Sequence, residues 1–280
     1  MASLLALASS LLWGSADYHA GNLSKRYPAM VVLGINQIFG LITGVVLVAI
    51  TAGWIAPTLS SDGYLINGAL AGLFGYAGLI CLYSGLASGR MGVVSPISSL
   101  SVLLPLVFAL TLGGEKLSTP VLIGVIIAIF GGFLASGPEF SQGLPLRPLL
   151  LALGAATGFG TALIFMSIGS EQSSLLTMVA MRAATLPITL AFFIRRGNFG
   201  GVGPRNLPLL IAIGVSDFAA NLLLGVATTK GLVSLAMVLG SLYPIATAVL
   251  AFIFLKERLH KVQYLGIIFA VSGVALISAF

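Results

Sequence analysis

Ten stretches of about 20 mostly apolar residues follow one another along the chain, at roughly 3–22, 29–52, 64–86, 92–112, 119–137, 147–168, 174–194, 207–229, 233–255 and 261–279. Each is bounded by Gly, Pro or charge. Each has the length at which an α-helix crosses the roughly 30 Å hydrocarbon layer of a bilayer. The connections are short, and the two longest, near 53–63 and 195–206, have no room for a soluble domain. Only 7% of the 280 residues are charged and 58% are hydrophobic, whereas a soluble chain is about a quarter charged. Too little charge remains to cover a water-facing surface, so most of the surface is expected to face lipid. The first stretch has no basic segment before it and no cleavage site after Trp13, which predicts a first spanning helix rather than a signal peptide.

The chain is also built twice. Residues 95–136 return, shifted by 142 positions, as residues 237–278, with twelve of forty-two positions identical; composition alone predicts about a tenth. Glu115 falls on Glu257, Leu117 on Leu259, Gly124 on Gly266 and Gly131 on Gly273. At the same offset Gly72 falls on Gly214 and Gly89 on Gly231. Near the start, with a slightly larger offset, Trp13-Gly14-Ser15 lies over Phe159-Gly160-Thr161, and Asn36 over Arg182. The seam is the Pro/Gly-rich link at 137–145, which gives two units, 1–141 and 142–280. Five spans per unit is odd, so the second unit enters the membrane from the opposite side. The fold class expected is therefore an all-α integral membrane protein of ten transmembrane helices in two inverted five-helix repeats. Such proteins bind substrate near the bilayer midplane, where the repeats meet.

Ten helices in two halves, a Trp-Gly pair in the first helix, and Gly-Glu-x-Leu and Lys-Glu-x-Leu turns followed by spaced glycines resemble the EamA family of the drug/metabolite transporter superfamily. The resemblance covers essentially the whole chain. It implies an inverted-repeat fold around a central cavity, and export of amino acids, other metabolites or toxic compounds. Pro244 lies thirteen residues before Glu257, whereas the first half has Val102 at the matching position and Pro105 ten residues before Glu115. The second-helix position that often carries arginine in such proteins is Asn36, and the second half has Arg182.

Charge inside a spanning segment is costly and marks function or pairing. Asp17, Arg182 and Asp217 are the three clear cases, and all three are expected to face the cavity. Ser10, Trp13, Gly14, Asp17 and Gly21 share one stripe of the first helix. Trp13 and Asp17, one turn apart, suit an ammonium group through ion pairing and cation–π contact. Other semi-polar stripes carry Asn36, Gly40 and Thr43; Gly72, Tyr76 and Tyr83; Met178, Arg182, Thr185 and Thr189; and Gly214, Asp217, Asn221 and Thr228. The candidate substrate-binding set is thus Trp13, Asp17, Asn36, Tyr76, Tyr83, Arg182, Asp217 and Asn221. Asp17, Asp217 and His19 are the candidates for proton coupling. Three alternatives stay open: Arg182 and Asp217 as a purely structural pair, the tyrosines as interfacial or packing residues, and His19 as an interfacial histidine. Glu115 and Glu257 read as solvated turns or helix caps.

The chain has no H-E-x-x-H, G-x-S-x-G, P-loop or dinucleotide glycine pattern, so an enzyme or an ATP-driven pump is not expected. No cofactor or metal site is expected, and Cys81, alone in an apolar run, reads as a small buried hydrophobe. Twelve of the thirteen basic residues are scattered at segment ends, all but Arg182, with no basic patch, so nucleic acid is not expected as a partner. Lys25, Arg26, Arg90, Arg147, Arg195, Arg196, Arg205, Lys256, Arg258 and Lys261 fall on one side of the membrane, and Lys116 and Lys230 on the other. That asymmetry puts both termini outside, whereas the resemblance puts both in the cytoplasm, and the family orientation is the one adopted. The function expected is a secondary transporter, an exporter of a small polar, amino-acid-like metabolite with possible proton coupling. It is expected to work as a monomer, contacting lipid and its small-molecule substrate, as a multi-pass protein of the cell (inner) membrane. The alternatives are a proton-coupled importer of a cation such as a quaternary amine, and a non-transporting scaffold or channel.

Overall fold

The structure, a computed structural model, describes residues 1–86, 94, 97–137, 146–198, 200–254 and 260–279, with Tyr83, Ala251 and Ser278 described by backbone only. The link at 138–145, the Glu257 turn and the Tyr83 side chain lie outside this description. Among the described residues the regular structure is helical, with no strand. In chain order the helices are α1 (Ala2–Ser24), α2 (Ala29–Thr51), α3 (Tyr64–Leu86), α4 (Leu103–Thr111), α5 (Thr119–Ala135), α6 (Leu146–Arg196), α7 (Leu207–Lys230), α8 (Val233–Gly240), α9 (Tyr243–Phe254) and α10 (Lys261–Ala279). Among the described residues, five stretches are long and apolar enough to cross a membrane: α2, most of α3, α6, the stretch containing α7, and residues 233–254. Shorter apolar helices cover Ile97–Thr111, Thr119–Ala135 and Lys261–Ile277.

The boundaries follow local signals. Pro28 precedes α2, and Ala52, in the left-handed conformation, ends it. Ser118, extended, precedes a Thr119-Pro120 start to α5, where proline loses no hydrogen bond. Two boundaries differ from the sequence reading. The runs at 147–168 and 174–194 are joined by one extended residue, Ser173 (φ −164°, ψ 108°), inside α6. The Oγ of Ser173 accepts a hydrogen bond from the Leu176 N–H at 3.3 Å, the N-cap geometry that lets a new helix start at once. The two parts fold back on each other: a Cβ on Gly169 would lie 2.8 Å from Thr177 Oγ1, whereas eight residues of straight helix span about 12 Å. The run at 233–255 is broken at Ser241-Leu242 into α8 and α9. Pro244 explains the break, because its ring excludes the carbonyl four residues earlier, that of Gly240. Pro105 acts likewise on Ser101, which lies in a 3-10 segment, Leu100–Val102.

Glycines set how closely the helices approach. A Cβ on Gly124 would lie 3.0 Å from the Gly273 carbonyl oxygen, and one on Gly131 would lie 2.8 Å from that of Gly266. Position 124 thus meets 273 while 131 meets 266, so α5 and α10 run antiparallel with backbones touching, as small residues permit in membranes. Gly14 packs on Tyr243 and Ala246 of α9, and Gly160 packs on Ser101 and Leu104. Gly72 packs on the Met181 backbone, and Gly214 on the Asn36 carbonyl. The outer surface is apolar, with Ile42, Val45, Val46 and Ile50 on α2, Ile123, Ile126 and Phe130 on α5, and Leu265, Ile268 and Val271 on α10 all exposed. Apolar area on that scale is covered by lipid rather than water.

Candidate functional site

A cavity of about 210 Å³ lies between α1, α2, α3, α6, α7 and the broken pair α8–α9. Its lining runs from the middle of α1, α2 and α3 toward the ends joined by the 25–28 turn, through Trp13, Asp17, Ala20, Leu33, Asn36, Leu79 and Leu82. That end also holds the 200–206 segment, since Asn206 donates to the Tyr27 hydroxyl at 2.7 Å. At the opposite end, where α1 begins, the bundle is closed by a buried apolar cluster including Ala6, Leu106, Met237 and Leu239.

Seven sequence-predicted residues share this lining: Trp13, Asp17, Asn36, Tyr76, Arg182, Asp217 and Asn221. Arg182 is buried, with its Nη2 donating to Asp217 and its Nη1 donating to the Gln37 side-chain oxygen. Asn221 donates from Nδ2 to the Asp217 backbone carbonyl, one turn earlier in the same helix, at 2.7 Å. Asp17 is different. Its side chain is exposed, although it lies inside the bundle on the cavity wall, so the exposure is to the cavity. Among the described residues it has no hydrogen-bond or ion-pair partner. Trp13, one turn earlier, meets the Tyr243 ring edge-on with centroids 6.1 Å apart. The lining therefore carries one neutralised pair, one uncompensated carboxylate and an aromatic corner next to it. The Asn36 Oδ1 is buried without a partner among the described residues.

Of the other stripe residues, Gly72 and Thr185 also line the cavity, whereas several others do not. Gly14 is spent on packing against α9, Ser10 donates to the Leu7 carbonyl at 2.8 Å, and nothing lies within 4 Å of where a Gly21 Cβ would be. His19 stacks edge-on with Tyr18 at 5.0 Å and is not in the lining. Thr228 donates to the Gly225 carbonyl at 2.8 Å, within its own helix. Glu115 is a helix cap, but of a distant helix: its Oε1 accepts from the Val233 N–H at 2.6 Å and its Oε2 from the Ser234 N–H at 3.0 Å.

The EamA-like transporter family matches this chain twice, at residues 1–137 and 146–279. The chain belongs to the EamA-like transporter family. It is accordingly a multi-pass membrane protein and a transporter of the drug/metabolite transporter superfamily. An uncharacterized protein of Methanocaldococcus jannaschii is 28% identical to it over 130 residues, which are 46% of this chain and 95% of that protein. A crystal structure of a protein 17% identical to it shares the fold, with a TM-score of 0.80 over 99% of this chain and 96% of the other.

Two wall residues of this EamA-like transporter escaped sequence reasoning. Gln37 is an amide in an apolar run, beside Asn36, and only the neighbour is marked by the repeat. Tyr243 sits immediately before Pro244, where the helix break turns its ring toward Trp13. Sequence alone leaves such a tyrosine indistinguishable from an interfacial one.

Proposed function

We propose that this transporter is a secondary exporter of small organic amines that carry an apolar group, with Asp17 exchanging the substrate ammonium for a proton. The observation that carries the reading is the unpartnered Asp17 carboxylate beside the Trp13–Tyr243 corner, in a cavity whose arginine is already engaged by Asp217 and Gln37. A carboxylate without a fixed cation can hold either a proton or an ammonium, but not both, which is the exchange that coupling needs. Trp13 adds cation–π attraction. The apolar wall of Phe159, Leu163, Leu79 and Met166 suits the substrate's uncharged part.

The architecture we propose is ten spans in two inverted five-helix repeats, residues 1–141 and 142–280. The paired glycine contacts support it. Under the 142-residue offset, the Gly124–Gly273 contact maps onto the Gly266–Gly131 contact. With the larger offset of the first helix, Gly14 on Tyr243 and Ala246 maps onto Gly160 on Ser101 and Leu104. Contacts that exchange in pairs between antiparallel helices are those a two-fold axis in the membrane plane produces. A relative about half as long as this chain fits a duplicated unit. We also propose that it works as a monomer in the cell (inner) membrane. A zwitterionic, amino-acid-like substrate is the second reading, favoured by the presence of Arg182 in the same wall.

Proteoliposome counterflow with phenethylamine, ethanolamine and phenylalanine separates these readings. The amine reading expects saturable, proton-linked phenethylamine flux that Asp17→Asn abolishes and Arg182→Gln leaves in the fraction that still folds. Phenylalanine flux that depends on Arg182 supports the zwitterion instead. Flux undiminished in Asp17→Asn and insensitive to pH refutes both.

A further inference from the structure

The tie between Glu115 and α8 has no place in the cavity chemistry, yet it crosses the molecule. Glu115 lies in the turn between α4 and α5, and the two N–H groups it receives are the first of α8, more than a hundred residues away. It engages both with one carboxylate, next to the partial positive charge of a helix N-terminus. The turn is itself fixed: the Glu115 N–H donates to the Ala109 carbonyl at 3.1 Å, and Gly114 takes a positive φ of 67°. The helix it caps continues, buried, through Met237 to Gly240 and breaks at the cavity wall, where Ser241 and Tyr243 follow. The tie sits at the closed end of the bundle, where α1 begins: a Cβ on Gly231 would meet Ala2 at 2.8 Å. Ala6, Met237 and Leu239 lie between this end and the cavity, packed in one cluster.

We infer that the Glu115 carboxylate is the latch of this end: it locks the first half to the broken helix of the second, and opening the cavity toward the start of α1 requires the cap to break. The inference rests on the two-half transporter reading above. A cap that served only local folding would be made within its own turn or its own half. This one joins halves that have to separate if the closed end is ever to open. A latch that cost nothing to break would not hold the closed state. A hydrogen bond to a charged group contributes about 1.5–3 kcal/mol, so its loss shifts a two-state equilibrium about tenfold to 150-fold.

The test is thiol accessibility in the full-length protein with Cys81→Ser. One cysteine replaces Ala6, fully buried at the closed end, and in a separate protein one replaces Ala20, which lines the cavity toward the 25–28 turn. Each is reacted with a small methanethiosulfonate reagent. Glu115→Ala is expected to raise the Ala6→Cys labelling rate about tenfold or more without raising that of Ala20→Cys. Glu115→Gln, which keeps one acceptor oxygen and loses the charge, should fall between. Rates unchanged at both positions overturn the latch, and so does a rise at both, because general loosening exposes the two sites together. Proton-linked flux in the protein with Glu115 intact tests the transport reading separately and does not depend on the cap.

Discussion

Neutralising the two cavity acids one at a time should separate folding from transport. Asp217→Asn takes the anion from Arg182, whose side chain is 6% exposed, and leaves the Gln37 oxygen and the new amide oxygen as its acceptors. Removing one member of a buried pair costs about 3–5 kcal/mol. The Asp217 side chain is itself 20% exposed, toward the cavity, and an amide can still accept. The expected loss is therefore lower, about 2 kcal/mol, or about 30-fold in the folding equilibrium. Asp17 has no partner to leave behind among the described residues, so Asp17→Asn should change stability by no more than about 0.5 kcal/mol while abolishing amine flux. Equilibrium unfolding in mixed micelles with rising dodecyl sulfate measures the first quantity, and counterflow the second. Because Arg182 and Asp217 touch, Arg182→Gln combined with Asp217→Asn should cost less than the two separate losses added, by about 1 kcal/mol or more. Equal destabilisation by Asp17→Asn and Asp217→Asn, or strict additivity of Arg182→Gln and Asp217→Asn, would refute the division of labour drawn from the hydrogen bonds.

Gly131→Ala drives a methyl group into the Ala270 backbone and should cost about 1–3 kcal/mol, whereas Gly21→Ala, with nothing within 4 Å, should stabilise α1 by up to about 1 kcal/mol; the same micelle titration reads both. Phe159→Ala should weaken phenethylamine more than ethanolamine in competition for transport, while Trp13→Ala should weaken both by about twofold to 30-fold, the range of a cation–π contact. Gln172→Ala removes the side-chain oxygen that accepts the Tyr64 N–H at 2.8 Å and should cost about 1 kcal/mol, visible as faster amide exchange at the start of α3.

Length and polarity were enough to place most helices, because a membrane-crossing helix satisfies its own backbone and needs only an apolar run of sufficient length. Thus 29–52, 64–86 and 261–279 were legible almost to the residue, and Asp17, Arg182 and Asp217 stood out as charges that lipid does not accept. The repeat also marked Gly124, Gly131, Gly266 and Gly273 as special, since its frame was carried by them. Pairing was not legible. Nothing in the local sequence says that Gly131 meets Gly266 rather than its own counterpart, that Arg182 is held by Gln37 as well as Asp217, or that Glu115 caps α8 instead of its own turn. The break that brings Tyr243 to Trp13 follows from Pro244, but its direction does not. Which segments are helical and which side chains cannot face lipid were legible in the chain, because both are properties of single segments in a given solvent. Which acid stays unpaired came from the packing instead, because it depends on which helices lie within a side chain's reach, and close glycine contacts between segments far apart in the chain set those distances.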